Sequence, residues 1–214
     1  MELTKEEVQR VEHYLNVKRI TYIDIRMEVL DHIISDIEAK MKKEDLDFET
    51  VFYNVTDKWN KHLKDTSSWL FGLTYSAPKI VMDKAKKSYK KLFLVSSFLM
   101  ILLMYFESKV KFLVSVNTQV YITNTLLIIN IFCILFYAFL IMKNSNIKQK
   151  TTYSFLLNTQ KTAILLGFIA IIFSGIIENV TPIYNLTLMF VVLSYGYFYF
   201  YKKHLETIKK YKIS

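Results

Sequence analysis

The sequence predicts an all-α fold, a small cytoplasmic three-helix bundle followed by four transmembrane helices. Three observations carry that reading: an uncharged run of bilayer length, apolar residues at helical spacing in the first 65 positions, and lysine-rich segments that alternate with bare ones. With 52% hydrophobic residues and only four Gly and two Pro in 214 positions, the chain is also unusually apolar and has little turn-forming material.

The run is Val120 to Met142, which carries no charge and stops at Lys143. A helix rises ~1.5 Å per residue and the hydrocarbon core of a bilayer is ~30 Å thick, so about 20 such residues cross it. A soluble core helix of that length carries a polar face, and here polarity is limited to hydroxyls, Asn124, Asn130 and the lone Cys133. A single cysteine excludes an intramolecular disulfide and any paired-cysteine metal site.

Residues 1–65 form the expected head. Thr4-Lys-Glu-Glu7 has capping-box spacing and opens a first helix with Val8, Val11, Tyr14 and Leu15 on one face. A second helix follows, with Ile23, Met27, Leu30, Ile34, Ile37 and Met41 as its apolar stripe and Ile33 alongside. Asp47 is placed to cap a third, in which Phe48, Val51, Phe52, Val55, Trp59 and Leu63 recur at helical spacing. Three short helices make a core too small to be more than marginally stable alone, so docking on the membrane, a second copy or a partner is expected.

Residues 66–91 read as an interfacial or linker helix. Ser67 to Tyr75 combines Trp69, Leu70, Phe71, Leu73 and Tyr75 without a charge, which suits either the headgroup boundary or a linker packed under the head. Pro78 then precedes six lysines, from Lys79 to Lys91.

The membrane domain, 92–201, contains spans at 92–106, 120–142, 162–177 and 183–201, and a basic tail occupies 202–214. Lys79 to Lys91 precede the first span; Lys109 and Lys111 follow it; Lys143, Lys148, Lys150 and Lys161 fill the middle loop; Glu178 to Pro182 has none; the tail has five. By the positive-inside rule, head, middle loop and tail are all cytoplasmic. Residues 1–65 carry a net −4 and the remainder +13, and the excess lysines border apolar spans, where anionic lipid headgroups attract them. The basicity is therefore a membrane signature, with no nucleic-acid partner. Three arginines against many Lys, Ile and Asn suit an AT-rich bacterial genome, and the first residues lack a secretory signal pattern. The expected location is the bacterial inner membrane.

Ala163, Gly167, Ala170 and Ser174 line one face of the third span with small side chains, a packing face inside the bundle or a homodimer seam. Glu178 continues that face at its outer end. The spans hold no charged residue between their ends, which weighs against a coupled transporter. No catalytic motif or phosphate-binding glycine loop occurs, and no cofactor is expected.

The remaining polar cluster lies on the second helix, where Asp24, Glu28, Asp31, His32, Ser35 and Glu38 are expected opposite the apolar stripe as an interaction face. Glu28 and His32 stand four apart, close enough to hold a divalent metal or sense protons, or simply to form part of a solvated face. His13, His62 and His204 are scattered.

From Arg26 to Glu38, followed by Phe48 to Trp59, the head resembles the small helical domain known as HAAS or permease-prefix, which precedes transmembrane helices in many bacterial proteins. The resemblance covers about residues 5–63 and carries over no catalytic residue. It implies a cytoplasmic signalling or regulatory module coupled to a membrane unit. The function expected is thus a non-enzymatic, membrane-anchored regulatory or interaction subunit with a cytoplasmic or membrane protein partner. The alternative is a transport-related protein, either a permease subunit or a small channel.

Overall fold

The computed structural model describes residues 2–110, 115–176 and 181–211 and is mostly helical. In order, the elements are α1 (Lys5–Val17), α2 (Ile23–Glu44), α3 (Phe48–Leu63), β1 (Asp65–Ser68), β2 (Gly72–Pro78), α4 (Lys79–Val110), α5 (Val116–Ser145), α6 (Thr152–Gln160), a 3₁₀ turn (Lys161–Ala163), α7 (Ile164–Ile176) and α8 (Thr181–Tyr211). The chain divides into two compact units. The first holds residues up to Lys86, Gln149–Phe155 and the chain from His204 onward; the second holds Lys87–Lys148 and Leu156–Lys203.

In the first unit, α1 starts with the expected capping box: Glu7 N–H donates to Thr4 Oγ1 at 3.3 Å and Thr4 N–H to Glu7 Oε2 at 2.7 Å. Asp47 caps α3 through Thr50 N–H at 3.0 Å. Val11 and Leu15 of α1 are fully buried, as are Ile25, Val29, Ile33 and Ile37 of α2, with Val51, Phe52, Val55 and Leu63 of α3 completing this part of the core.

The buried stripe of α2 matches the expected one at Ile37 and Met41, with Ile33 alongside, and departs from it nearer the start of the helix. Met27 is exposed, Ile23, Leu30 and Ile34 are half-buried, and the core takes Ile25, Val29, Ile33, Ile37 and Met41. Each step of four advances ~40° around the helix, so this row winds through ~160° from end to end. A winding row lets the start of α2 face one set of neighbours and its end another. A straight stripe would serve only one.

The chain is mostly helical, as expected, but the interfacial or linker helix expected over 66–91 is replaced in its first part, 66–78, by an antiparallel hairpin, and helix resumes at Lys79. Asp65, Thr66 and Ser67 pair with Pro78, Ala77 and Ser76, and the register then shifts so that Ser68 pairs with Gly72. The connection is Trp69-Leu-Phe71 closed by Gly72 at φ +89°, a conformation that suits glycine because other residues bring a Cβ into the following carbonyl. Phe71 N–H donates to Ser68 O at 3.1 Å, and the Phe71 ring stands edge-on to Phe155 at 5.5 Å.

In the second unit, α5 buries Asn130, Ile134, Tyr137 and Leu140, and α8 buries Thr187, Phe190, Ser194, Tyr197 and Phe200, each row at three- and four-residue spacing. The Tyr137 and Tyr197 rings stand 4.4 Å apart. Three helices among the described residues are long and apolar enough to cross a membrane: Lys79–Phe106, Val120–Ser145 and Thr152–Phe173. Their outer faces expose Phe93, Phe98, Ile101, Ile128, Phe132 and Leu165, each at least half accessible. So much contiguous apolar surface is untenable in water and ordinary in lipid.

Candidate functional site

The polar face expected on α2 does not behave as one surface. Asp24 is 3% exposed. Its Oδ1 accepts from Thr152 N–H at 2.9 Å and its Oδ2 from Thr152 Oγ1 at 2.6 Å. Lys84 Nζ lies 3.5 Å from Asp24 Oδ2 and 2.7 Å from Glu28 Oε2, so one ammonium bridges two carboxylates a helical turn apart. A buried carboxylate is tolerable only when paired and fully hydrogen-bonded, and this one is.

Asp24 meets the start of α6 for a reason written in the local sequence. Thr151-Thr-Tyr-Ser154 makes a reciprocal cap: Ser154 N–H donates to Thr151 Oγ1 at 3.2 Å and Thr151 N–H to Ser154 Oγ at 3.0 Å. That satisfies two backbone donors and leaves Thr152 N–H pointing outward, where a negative charge at a helix N-terminus is also favoured by the helix dipole. Residue 150 is tied in as well, since Ile23 N–H donates to Lys150 O at 2.9 Å and Tyr22 bridges Lys150 in parallel fashion.

His204 of α8 closes the cluster. It is 1% exposed, and its Nδ1 stands 2.8 Å from Thr151 Oγ1. Thr151 Oγ1 also accepts from Ser154 N–H, and with a second lone pair and its own proton it can meet either tautomer of the imidazole at Nδ1. Burial pushes the His204 pKa down to about 4, against the opposing pull of the Asp24 carboxylate. The node thus joins α2, α4, the start of α6 and the end of α8 within the first unit.

The other residues of the expected face separate. Glu38 accepts from Leu3 N–H at 3.0 Å, tying down the N-terminal segment, and Asp31 and Ser35 are exposed. Glu28 and His32 take different partners: Glu28 turns to Lys84, and the His32 ring lies nearly parallel to Trp59 with centroids 6.5 Å apart. Trp59 also meets His62 at 5.9 Å. Beside them Asp36, Lys58, Trp59, His62 and Ile80 line an open groove of about 330 Å³. No group of three or more His, Cys, Asp or Glu among the described residues is placed to hold a metal.

Of the small-residue face, Gly167 and Ala170 are buried and Ala163 is half-buried. Asn130 Nδ2 donates to Gly167 O at 2.9 Å, and a Cβ on Gly167 would stand 2.7 Å from both Ile134 Cγ1 and Phe190 Cε1. Glu178 and the side chain of Ser174 lie outside the described residues.

Sequence reasoning missed Lys84, Thr151, Thr152, Ser154 and His204. The usable signals were Thr151-x-x-Ser154 as a capping pair and the spacing of His204 from Tyr197 and Phe200 on the buried row of α8. Compared with known proteins, the chain matches no family model, no curated protein and no solved structure.

Proposed function

We propose that this chain is a multi-pass protein of the bacterial inner membrane, crossing four times with both ends cytoplasmic. We further propose that its first unit is a non-enzymatic regulatory or interaction module that docks a cytoplasmic or membrane protein partner. The observation that carries the reading is the composition of that unit. Head, middle loop and tail are the three segments that lysine counting assigns to one side, and they fold together around Asp24, Thr151, Thr152 and His204.

Segments that share one folded unit outside the bilayer are separated by even numbers of crossings. Lys79–Phe106 and Val120–Ser145 supply the pair between the head and the middle loop. Thr152–Phe173 supplies one of the next pair, and α8, uncharged from Ile183 to Tyr201, supplies the return. The apolar exteriors of these helices then face lipid.

The recognition surface is the exposed part of the α2 face, Asp31 and Ser35 with His32 laid against Trp59, beside the groove at Asp36, Lys58, Trp59 and His62. A flat aromatic between two imidazoles with charges of both signs at its rim suits a protein surface better than a small substrate. The HAAS-like pattern of the head agrees with this role. Photocrosslinkers at Asp31 and Lys58 in native membranes test it. Discrete protein adducts that vanish on Trp59→Ala are expected. Solute flux by purified protein in liposomes, with no adduct at either position, would replace the reading with a transport role.

A further inference from the structure

Polar oxygens without partners gather along one seam of the second unit. Asn130 Oδ1, Asn144 Oδ1, Asn185 Oδ1, Thr187 Oγ1 and the Tyr197 hydroxyl are buried and have no hydrogen-bond partner among the described residues. Asn130, Thr187 and Tyr197 are wholly enclosed. The donors around them are committed elsewhere: Asn130 Nδ2 donates to Gly167 O at 2.9 Å, the Tyr137 hydroxyl to Gln160 O at 2.8 Å and the Ser194 hydroxyl to Phe190 O at 2.8 Å.

The register of α5 on α8 brings these oxygens to shared levels. The two helices run the same way, since Ile134 and Phe190 converge on Gly167 and, further along both, Phe136 meets Phe198 at 5.8 Å. Tyr137 sits between Phe190 and Tyr197, its ring centroid 5.7 and 4.4 Å from theirs. Two turns before that level Asn130 therefore stands beside Asn185 and Thr187, and two turns after it comes Asn144. Polar atoms are thus spaced along ~21 Å of α5, from Asn144 next to Lys143 to Asn130, which lies ~15 Å inside the apolar stretch that starts at Val120.

The chemistry of the set selects what fills it. An amide oxygen only accepts, whereas a hydroxyl both donates and accepts, so a ligand for the mixture must do both. A cation meets the lone pairs and leaves the Thr187 and Tyr197 protons unsatisfied; an anion is repelled by the amide oxygens. Hydrocarbon satisfies none of them. Water donates twice and accepts twice, and a buried water typically bridges about three such groups.

We propose that α5 and α8 hold a file of bound water along this seam, from Asn144 to the layer of Asn130, Asn185 and Thr187. Asn130 anchors the inner end: its amide N–H is spent on the Gly167 carbonyl of α7, which leaves its oxygen to accept from the file. The inference is separate from partner docking by the first unit.

The test is hydroxyl-radical labelling of the full chain in nanodiscs by X-ray pulses, where radicals form from water in place and mark the side chains that touch it. Phe190, though wholly enclosed, is expected to take up oxygen several-fold faster than Phe155, which is buried to a similar degree against Phe71. Tyr137 and Tyr197 should label with it. Equally slow labelling of Phe190 and Phe155 would overturn the file in favour of a dry seam. A melting temperature that rises in sodium over choline at equal ionic strength would overturn it in favour of a cation held by the neutral oxygens.

Discussion

Asp24→Ala is the most informative single change, because one side chain serves α6 and Lys84 together. Hydrogen bonds to an ionised group contribute ~1.5–3 kcal/mol each, and stripping one member from a buried ion pair costs ~3–5 kcal/mol. These effects overlap, and Lys84 keeps Glu28 at 2.7 Å, so the net loss is about 3–4 kcal/mol. Asp24→Asn keeps the shape and an oxygen for Thr152 N–H at the 2.9 Å position, giving up the charge but not the acceptor. Its loss is about 1–2 kcal/mol. For a chain of this size ~1 kcal/mol moves the melting temperature by ~2–4 °C, so Asp24→Ala lowers it by about 6–16 °C and Asp24→Asn by about 2–8 °C. Thermal melts of the full-length protein in nanodiscs read both, with tyrosine and tryptophan fluorescence as signal. A cycle with Thr152→Val gives the coupling, and the double variant should lose less than the two singles added. Equal melting of all forms within ~2 °C, or an Asn variant worse than Ala, would refute the assignment of Asp24 as a paired buried carboxylate.

His204 makes stability depend on pH in a defined window. Its pKa in the fold is about 4, below the ordinary 6.5, so on acidification the unfolded chain takes the proton first. The contribution is whole above pH ~6.5 and shrinks as pH falls toward 4, by up to about 3 kcal/mol; His204→Gln flattens this limb in denaturation measured across that range. Thr151→Ala removes the cap of α6 and the imidazole's partner, lowering stability by about 1–2 kcal/mol in the same melts. Gly167→Val drives side-chain atoms into Ile134 and Phe190, which a Cβ alone would approach to 2.7 Å. It costs about 1–3 kcal/mol, and the chain should become more protease-sensitive in detergent, whereas unchanged sensitivity would place Gly167 away from the α5 and α8 contacts. Alkaline phosphatase fused after Ser214 or before Met1 should stay inactive in cells; activity at one end alone would break the shared-side topology.

The helical class, the caps of α1 and α3 and the apolar stretches were legible because each is local. Thr4 with Glu7, Asp47 with Thr50 and the uncharged run from Val120 declare themselves within a few residues. The α2 face was misread because that helix is apolar on two sides. Choosing between Met27 and Val29 requires knowing that its first turn meets residues 150–152. Asp24 looked solvated for the same reason: its partners, Lys84 and Thr152, are remote in sequence. The hairpin escaped detection because Trp69-Leu-Phe-Gly72 reads as an apolar run, and only the left-handed Gly72 makes it a turn. Of the proposed recognition face, Asp31, His32 and Ser35 were placed correctly on the outside, while the contribution of Trp59 and His62 from α3 needed the fold.

The bond from Thr152 to Asp24 joins residues 128 positions apart, and the one from His204 to Thr151 spans another 53. A ribosome therefore releases the amino-terminal helices long before their polar centre can close, and completion waits until α8 has been translated. Under the proposed four-crossing topology, a chain threaded with one helix in the wrong direction would leave Asp24 and Lys84 without Thr152, His204 or both. Closure of this polar centre would therefore register, under that topology, that every crossing between its parts had been laid in the right way round.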